Sequence, residues 1–484
     1  MKPTIIPTLI AAAFLAVSTH AETSYWTGEG EPSGRGSTTN WQLPENYSTG
    51  SVPNEYTDLI MNAASLTGEN TEGVFISTGA AAVVKSLTIE PDSRANYFRM
   101  YPGSTFTAET LNVFRKGAFR FAGDYYGTDL PTLNFGTVNV GLDNTSDQSI
   151  LYLGQTRSEY NSGWCPVNAN ISGDLNVYVL SQVKFNTGLT KSVVDTQNPG
   201  TYIGGVINLV GGTGEFVSKN PNIYLSARES SSTSVVDGTI SVVSCNGIKG
   251  NGIVYGSVVT SQPATNPVGV LHLRNSEDQT FAGWLRDGTE GKLMIIMEGT
   301  ATQKFSNSYS TLNFSGGVEV RRGTLVFDGR DTYAAKESHG KLTMLGGELS
   351  IYSSATNPGG MGFSSMDYAG GTISLVIGND SAGKIILTDG TINALDTMEG
   401  YVEFNLTGNL ALLEEGYQKI VDWTEKTSLT NSDFRANSYN SKEAVFDVRA
   451  DGLYVSYAAV PEPAAMAAVL GAMALAFAAL KRRN

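Results

Sequence analysis

Cysteine and histidine are scarce in this 484-residue sequence, with two of the former, Cys165 and Cys245, and three of the latter. No CxxC pair and no His/Cys cluster occurs, which argues against a structural zinc site. Charge is low as well, at 16% of residues, and it leans acidic: 32 Lys+Arg against 46 Asp+Glu give a net charge of -14. A basic nucleic-acid binder would need the opposite balance, so no nucleic-acid partner is expected. Neither a Walker lysine loop nor a strand-to-helix GxGxxG occurs, and no cofactor is expected. No long amphipathic helix can be traced. What the chain does have is 54 glycines, 41% hydrophobic residues and 10% aromatics. That is enough apolar material for a sizeable core, and the composition of intrinsic disorder is absent.

The two ends read as addresses. Lys2, the apolar stretch Ile5 to Val17 and the small-residue end at Ala21 form a secretory leader, cut after Ala21 and served by the Sec export machinery. At the other end, Ala464 to Leu480 is an unbroken run without charge, closed by Lys481, Arg482 and Arg483. As a helix it would measure about 25 Å, a short span of the inner membrane with the basic cluster as its cytoplasmic stop. Val460, Pro461, Glu462 and Pro463 precede it, and the two prolines hold that backbone extended and accessible. These three parts in order closely resemble the PEP-CTERM sorting signal of Gram-negative bacteria. The resemblance implies an exosortase-type processing enzyme as partner and delivery to the cell surface or the extracellular matrix. Removing both ends takes Lys2, the terminal three cations and Glu462, which leaves 28 basic and 45 acidic residues, net -17. A surface of that charge should repel anionic polymers.

Between the ends, Gly, Asn, Ser and Thr clusters recur roughly every 8 to 12 residues and separate short apolar runs such as Val83 to Ile89 and Ile203 to Val210. Short strands at this spacing predict an all-β chain. Gly323-Thr324-Leu325, Gly347-Glu348-Leu349, Gly371-Thr372-Ile373 and Gly390-Thr391-Ile392 repeat one element, with the last interval shorter than the two before it. In the first of these units Val318 and Val320 alternate with Glu319 and Arg321, a period of two with one apolar face. Such a unit cannot bury its face alone, whereas stacked coils can, so a parallel β-helix (solenoid) is expected. At about 22 residues per coil the rod would run to roughly 80 to 90 Å.

Residues 279–329, with their TFAG, GKL, GTATQ and FSGG…GTL segments, resemble the autotransporter-associated β-strand repeat, whose fold is a parallel β-helix. No translocator barrel follows, so the sorting signal would supply the export route. The start of the mature chain, with Trp26, Trp41 and Tyr47, reads as a cap on the first coil, a sugar-binding aromatic patch being the competing reading. Val445 to Val448 and Leu453 to Val455 flank Asp451-Gly452 and predict a closing β-hairpin. The expected layout is a leader at 1–21, an N-terminal β cap at 22–75, β-helix repeats at 76–400, a C-terminal β cap at 401–459, and the sorting signal with its transmembrane anchor helix at 460–484.

Chemistry is sparse. In an oxidising compartment Cys165 and Cys245 are permitted to pair, but stacked coils would set them roughly 15 to 19 Å apart, beyond the approximately 7 Å that a disulfide allows. His272 lies in an alternating strand and His339 in a Ser-His-Gly turn, neither beside a recognisable Ser/Asp arrangement. The glycine-rich stretch 211–216 and Asp143 to Asp147 approach calcium loops, but each lacks a required ligand and reads as a turn. No catalytic or metal residue is assigned. The expected function is a structural or adhesin-like protein of the cell surface or matrix, not an enzyme, with extracellular polysaccharide among its expected partners. The alternative is a polysaccharide lyase or glycoside hydrolase on the same scaffold, whose carboxylates would come from different coils.

Overall fold

The computed structural model describes residues 21–30, 38–67, 73–123, 129–142, 147–154, 167–185, 194–211, 219–225, 227–228, 240–259, 268–288, 291–307, 312–329, 338–352, 360–398, 400–425, 427–459 and 471–473. Strands account for 56% and helices for 4%, so the chain is all-β with long parallel sheets. The pairing is consistent with a parallel β-helix. Ala81–Ile89 lies parallel to Thr105–Val113, which lies parallel to Thr132–Val140, each strand pairing with its successor one coil later. From Asn168 onward most of these long strands are split at a corner, as in Asn168–Ile171 followed by Leu175–Val177, and both halves keep their place in the 22-stranded sheet. Leu342–Tyr352 and Met366–Ile377 run through the corner again as single strands.

Ten shorter strands, from Thr38–Asn40 to Leu312–Asn313, form a second parallel sheet on another face. Alternation fixes which side of each strand is inside. In Thr105–Val113, Phe106, Ala108, Leu111 and Val113 are buried, and the residues between them are not. On the outer side, Asn139 donates to Asn112 at 2.9 Å, Asn176 to Asn139 at 2.9 Å and Asn208 to Asn176 at 3.2 Å. This amide column exists because parallel coils repeat one register without slipping.

The parallel stack among the described residues is shorter than the sequence suggests. An unbroken in-register column runs from Glu22–Tyr25 to Phe434–Ala436 through fifteen strands, a length of about 67 Å at about 4.8 Å per strand. The coils hold more chain than the glycine spacing implies. One turn of the stack carries Ala81 to Thr105, a later one carries Ala169 to Thr201, and the next carries Thr201 to Val243. The Gly-x-Leu element also needs correction at its fourth copy. Leu325, Leu349 and Ile373 stack in register, but Ile392 pairs with Met366 on the other side of the corner, and Phe404 continues the first column. The last glycine interval is too short to complete a coil.

The ladder begins at Glu22–Tyr25, which already lies parallel to Thr57–Met61. At the far end Lys442–Arg449 and Gly452–Ala459 form the expected antiparallel hairpin, with Phe446 opposite Val455. Gly452–Ala459 also pairs antiparallel with Gln418–Trp423, which ends the run of parallel pairing on that face. Among the described residues no helix is long and apolar enough to cross a membrane. The anchor segment 464–480 lies outside the described residues except for 471–473, a short exposed helical stretch.

Candidate functional site

Of the residues named from sequence, Ala21 is exposed, directly before the first strand. Val460, Pro461, Glu462, Pro463, Lys481, Arg482 and Arg483 lie outside the described residues, as do Cys165, residues 212–216 and residues 143–146. Cys245 carries a free thiol with no exposure, and burial pushes its pKa up to about 12. A thiol in that state is unreactive. Trp26 and Trp41 are 0% and 1% exposed and pack with Tyr47, at centroid distances of 5.2 and 5.7 Å. Their faces are therefore closed to a sugar, and the cluster is core that covers the first coils.

His272 is not an isolated strand residue. Ser244 and His272 are register partners on consecutive coils, and Glu298 stands on the next. Ser244 Oγ lies 3.1 Å from His272 Nδ1, and His272 Nε2 lies 3.0 Å from Glu298 Oε2. Arg321, one coil further, donates to Glu298 at 2.8 Å, to Glu319 at 2.5 Å and to the Thr196 hydroxyl at 2.8 Å. Sequence reading misses this group because its members sit on successive coils and meet only through register. The order Ser-His-Glu invites comparison with a hydrolytic triad. Yet Ser244 and His272 are 1% and 2% exposed, so no substrate reaches the hydroxyl. Burial lowers the His272 pKa to about 4 in spite of the Glu298 charge, so the ring is neutral at pH 7. The group is best described as a buried relay beside an outer apolar cluster of Val242, Val270 and Ile296, against which Val194 packs.

His339 is also core. Its Nδ1 lies 3.1 Å from the Phe314 carbonyl oxygen, its ring lies 4.7 Å from that of Phe314, and burial lowers its pKa to about 4. Among the described residues no three His, Cys, Asp or Glu side chains converge in a metal-binding arrangement.

The arrangement with recognition chemistry lies on the outer side of the ten-stranded sheet. Arg120, Tyr152, Lys184, Tyr224, Tyr255 and Arg286 are register partners in unbroken succession. Arg120 sits 4.8 Å from the centre of the Tyr152 ring and Lys184 sits 4.7 Å from it on the neighbouring strand to the other side. The Lys184 ammonium also donates to the Tyr152 hydroxyl at 2.9 Å. Tyr224 and Tyr255 stack with centroids 4.8 Å apart and planes 6° from parallel. Arg286 lies 3.8 Å above the Trp284 ring. Arg115 donates to the Ala118 carbonyl at 2.6 Å, on the strand that carries Arg120, and desolvation by burial, followed by the charge of Arg120, lowers its pKa. None of the ten strands carries an Asp or Glu. No motif in the sequence marks the column, because its members stand on separate coils, far apart in the chain. The one available signal is that each stands at an outward position of an alternating strand.

In comparison with known proteins, the chain matches no family model, no curated protein and no solved structure.

Proposed function

We propose that this chain is an exported, surface- or matrix-associated structural or adhesin-like β-helical protein of a Gram-negative bacterium. In this reading residues 1–21 direct Sec export, the helix at 464–480 holds the chain in the inner membrane for a time, and an exosortase-type enzyme acts at Val460–Pro463. The observation that carries it is the distribution of outward chemistry: amides, cations and tyrosines form columns along the stack instead of converging on one point. A long ladder with lateral columns suits display and many weak contacts. The positions of the two processing signals support the reading. Among the described residues Ala21 directly precedes the first strand and the last strand ends at Ala459, so both cuts would fall outside the described paired core.

Expression in an exosortase-bearing host, followed by fractionation and mass measurement, tests the proposal. The expected product begins at Glu22, lacks the C-terminal tail, and is found at the surface or in the matrix. A chain kept in the cytoplasm with both ends intact would overturn it. Incubation with neutral and acidic polysaccharides tests the enzyme alternative, because release of reducing or unsaturated ends would replace the structural reading with a catalytic one.

A further inference from the structure

The outer side of the 22-stranded sheet changes character along the stack. Thr132–Val140, Asn168–Ile171 and Thr201–Ile203 hold no charged residue, whereas later strands of the same sheet hold Lys249, Lys304, Asp328 and Glu348. Thr105, Thr132 and Asn168 are register partners on consecutive coils. Two residues further along each strand, Thr107, Asn134, Asn170 and Tyr202 form a second column. Phe106, Leu133 and Ala169, between the columns, are buried, so both columns face outward, about 6.6 Å apart along the strand. Asn168, Asn170 and Tyr202 are exposed and the other members partly so. Among the described residues the side chains of this patch make one hydrogen bond, from Asn170 to Asn134 at 3.1 Å. On the smaller sheet, by contrast, Arg120 and Lys184 are engaged with Tyr152.

We propose that this patch of threonines and asparagines, ending at Tyr202, binds an extended, uncharged glycan chain laid along the axis of the stack. Its chemistry selects the ligand. Hydroxyl and amide side chains each donate and accept, as sugar hydroxyls do, and hydrogen bonds between such groups need no charge on either partner. The four rungs from Thr107 to Tyr202 span about 14 Å at about 4.8 Å per rung. That spacing is comparable with the length of one pyranose unit in an extended glycan, so successive sugars meet successive rungs. Tyr202 supplies the aromatic contact at one end: Arg274 lies 4.3 Å from its ring centre, and the side chain is still 38% exposed. On the next coil Ser244, the outward register partner of Tyr202, is 1% exposed, so the accessible column stops there. A carboxylated glycan would meet uncharged strands on an acidic chain, and a nucleic acid would find no row of cations for its phosphates. The inference rests on the surface-protein reading only for the patch's access to such a glycan in the cell.

The test uses the purified full chain and two probes of similar length, cellohexaose and oligogalacturonate. Cellohexaose should be retained, with an affinity that salt leaves unchanged. N134A/N170A should bind it roughly tenfold more weakly, through the lost amide hydrogen bonds. Y202A should bind it roughly fivefold more weakly, through the lost ring contact. T107V/T132V removes two hydroxyls with little change of shape or strand preference, and it keeps the result readable if the asparagine variant melts lower; a loss of roughly threefold is expected. The control Y352A, at a 49% exposed tyrosine on a later strand of the same sheet, should bind as the parent does. No retention of cellohexaose, equal or tighter retention of oligogalacturonate, or parental binding by all three patch variants would each overturn the inference. The localisation experiment decides the surface reading separately, whatever the binding outcome.

Discussion

Gly347 sits against the carbonyl oxygen of Gly323, its counterpart one coil earlier in the stack: a Cβ built on Gly347 would come within 2.6 Å of it. Both residues have positive φ, 71° at Gly323 and 64° at Gly347, and Gly371 continues the series at 97°. The repeated glycine of the sequence is therefore a corner at which backbone packs on backbone. Gly347→Ala adds a strained φ to a clash that no flexible side chain can relieve. The expected cost is about 2–4 kcal/mol, read as a lower midpoint in denaturant with the m-value unchanged.

Val320 is fully buried, in register with Met297 on one side and Met344 on the other. Val320→Asp would place an unpaired carboxylate between two methionines. A loss of roughly 3 kcal/mol or more follows from burying that charge, and thermal unfolding measures it. An unchanged melting temperature would contradict the observed register.

Acid should destabilise the fold through two histidines. Burial holds the pKa of both His272 and His339 at about 4, whereas the unfolded chain titrates near the ordinary histidine value of about 6.5. Between those values the unfolded state binds more protons, so stability is fully present above about pH 6.5 and is lost as pH falls toward about 4. The upper bound is about 3 kcal/mol for each histidine. Melting curves between pH 7.5 and 4 should show the decline, and H272Q/H339Q should flatten it even if that variant is less stable at neutral pH.

Trp41 packs edge-on against the rings of Tyr47, Phe98 and Phe106, and the Tyr47 hydroxyl donates to the Trp41 carbonyl at 2.6 Å. Trp41→Ala should cost about 3–5 kcal/mol by opening a cavity in the first coils. The milder Trp41→Phe should leave retention of any polysaccharide unchanged. A selective loss of sugar binding in that variant, without loss of stability, would restore the aromatic-patch reading.

Much of the scaffold is legible in the chain itself, for reasons that individual residues show. Val318 and Val320 alternate with Glu319 and Arg321, a pattern that suits a strand with one buried face, and both valines are buried. The turn at Asp451-Gly452 between two apolar runs marks the closing hairpin. Coil length is not legible. Glycine spacing looks like the repeat itself, whereas register partners on successive coils stand at unequal distances along the chain, and the fourth glycine element falls on a different side of the corner. The relay of Ser244, His272 and Glu298 is invisible because strand alternation tells which side a residue faces but not which residue of another coil it meets.

Period-two alternation and charge counts need no knowledge of neighbours, so the order of amino acids alone settles the class of the fold and the overall acidity. Where the charge lies is settled by folding. Each coil returns the chain to the same face, so Arg120, Lys184 and Arg286, far apart in the chain, come into one column with Tyr152, Tyr224 and Tyr255. Composition cannot specify this, because stacking converts positions distant in sequence into neighbours about 4.8 Å apart.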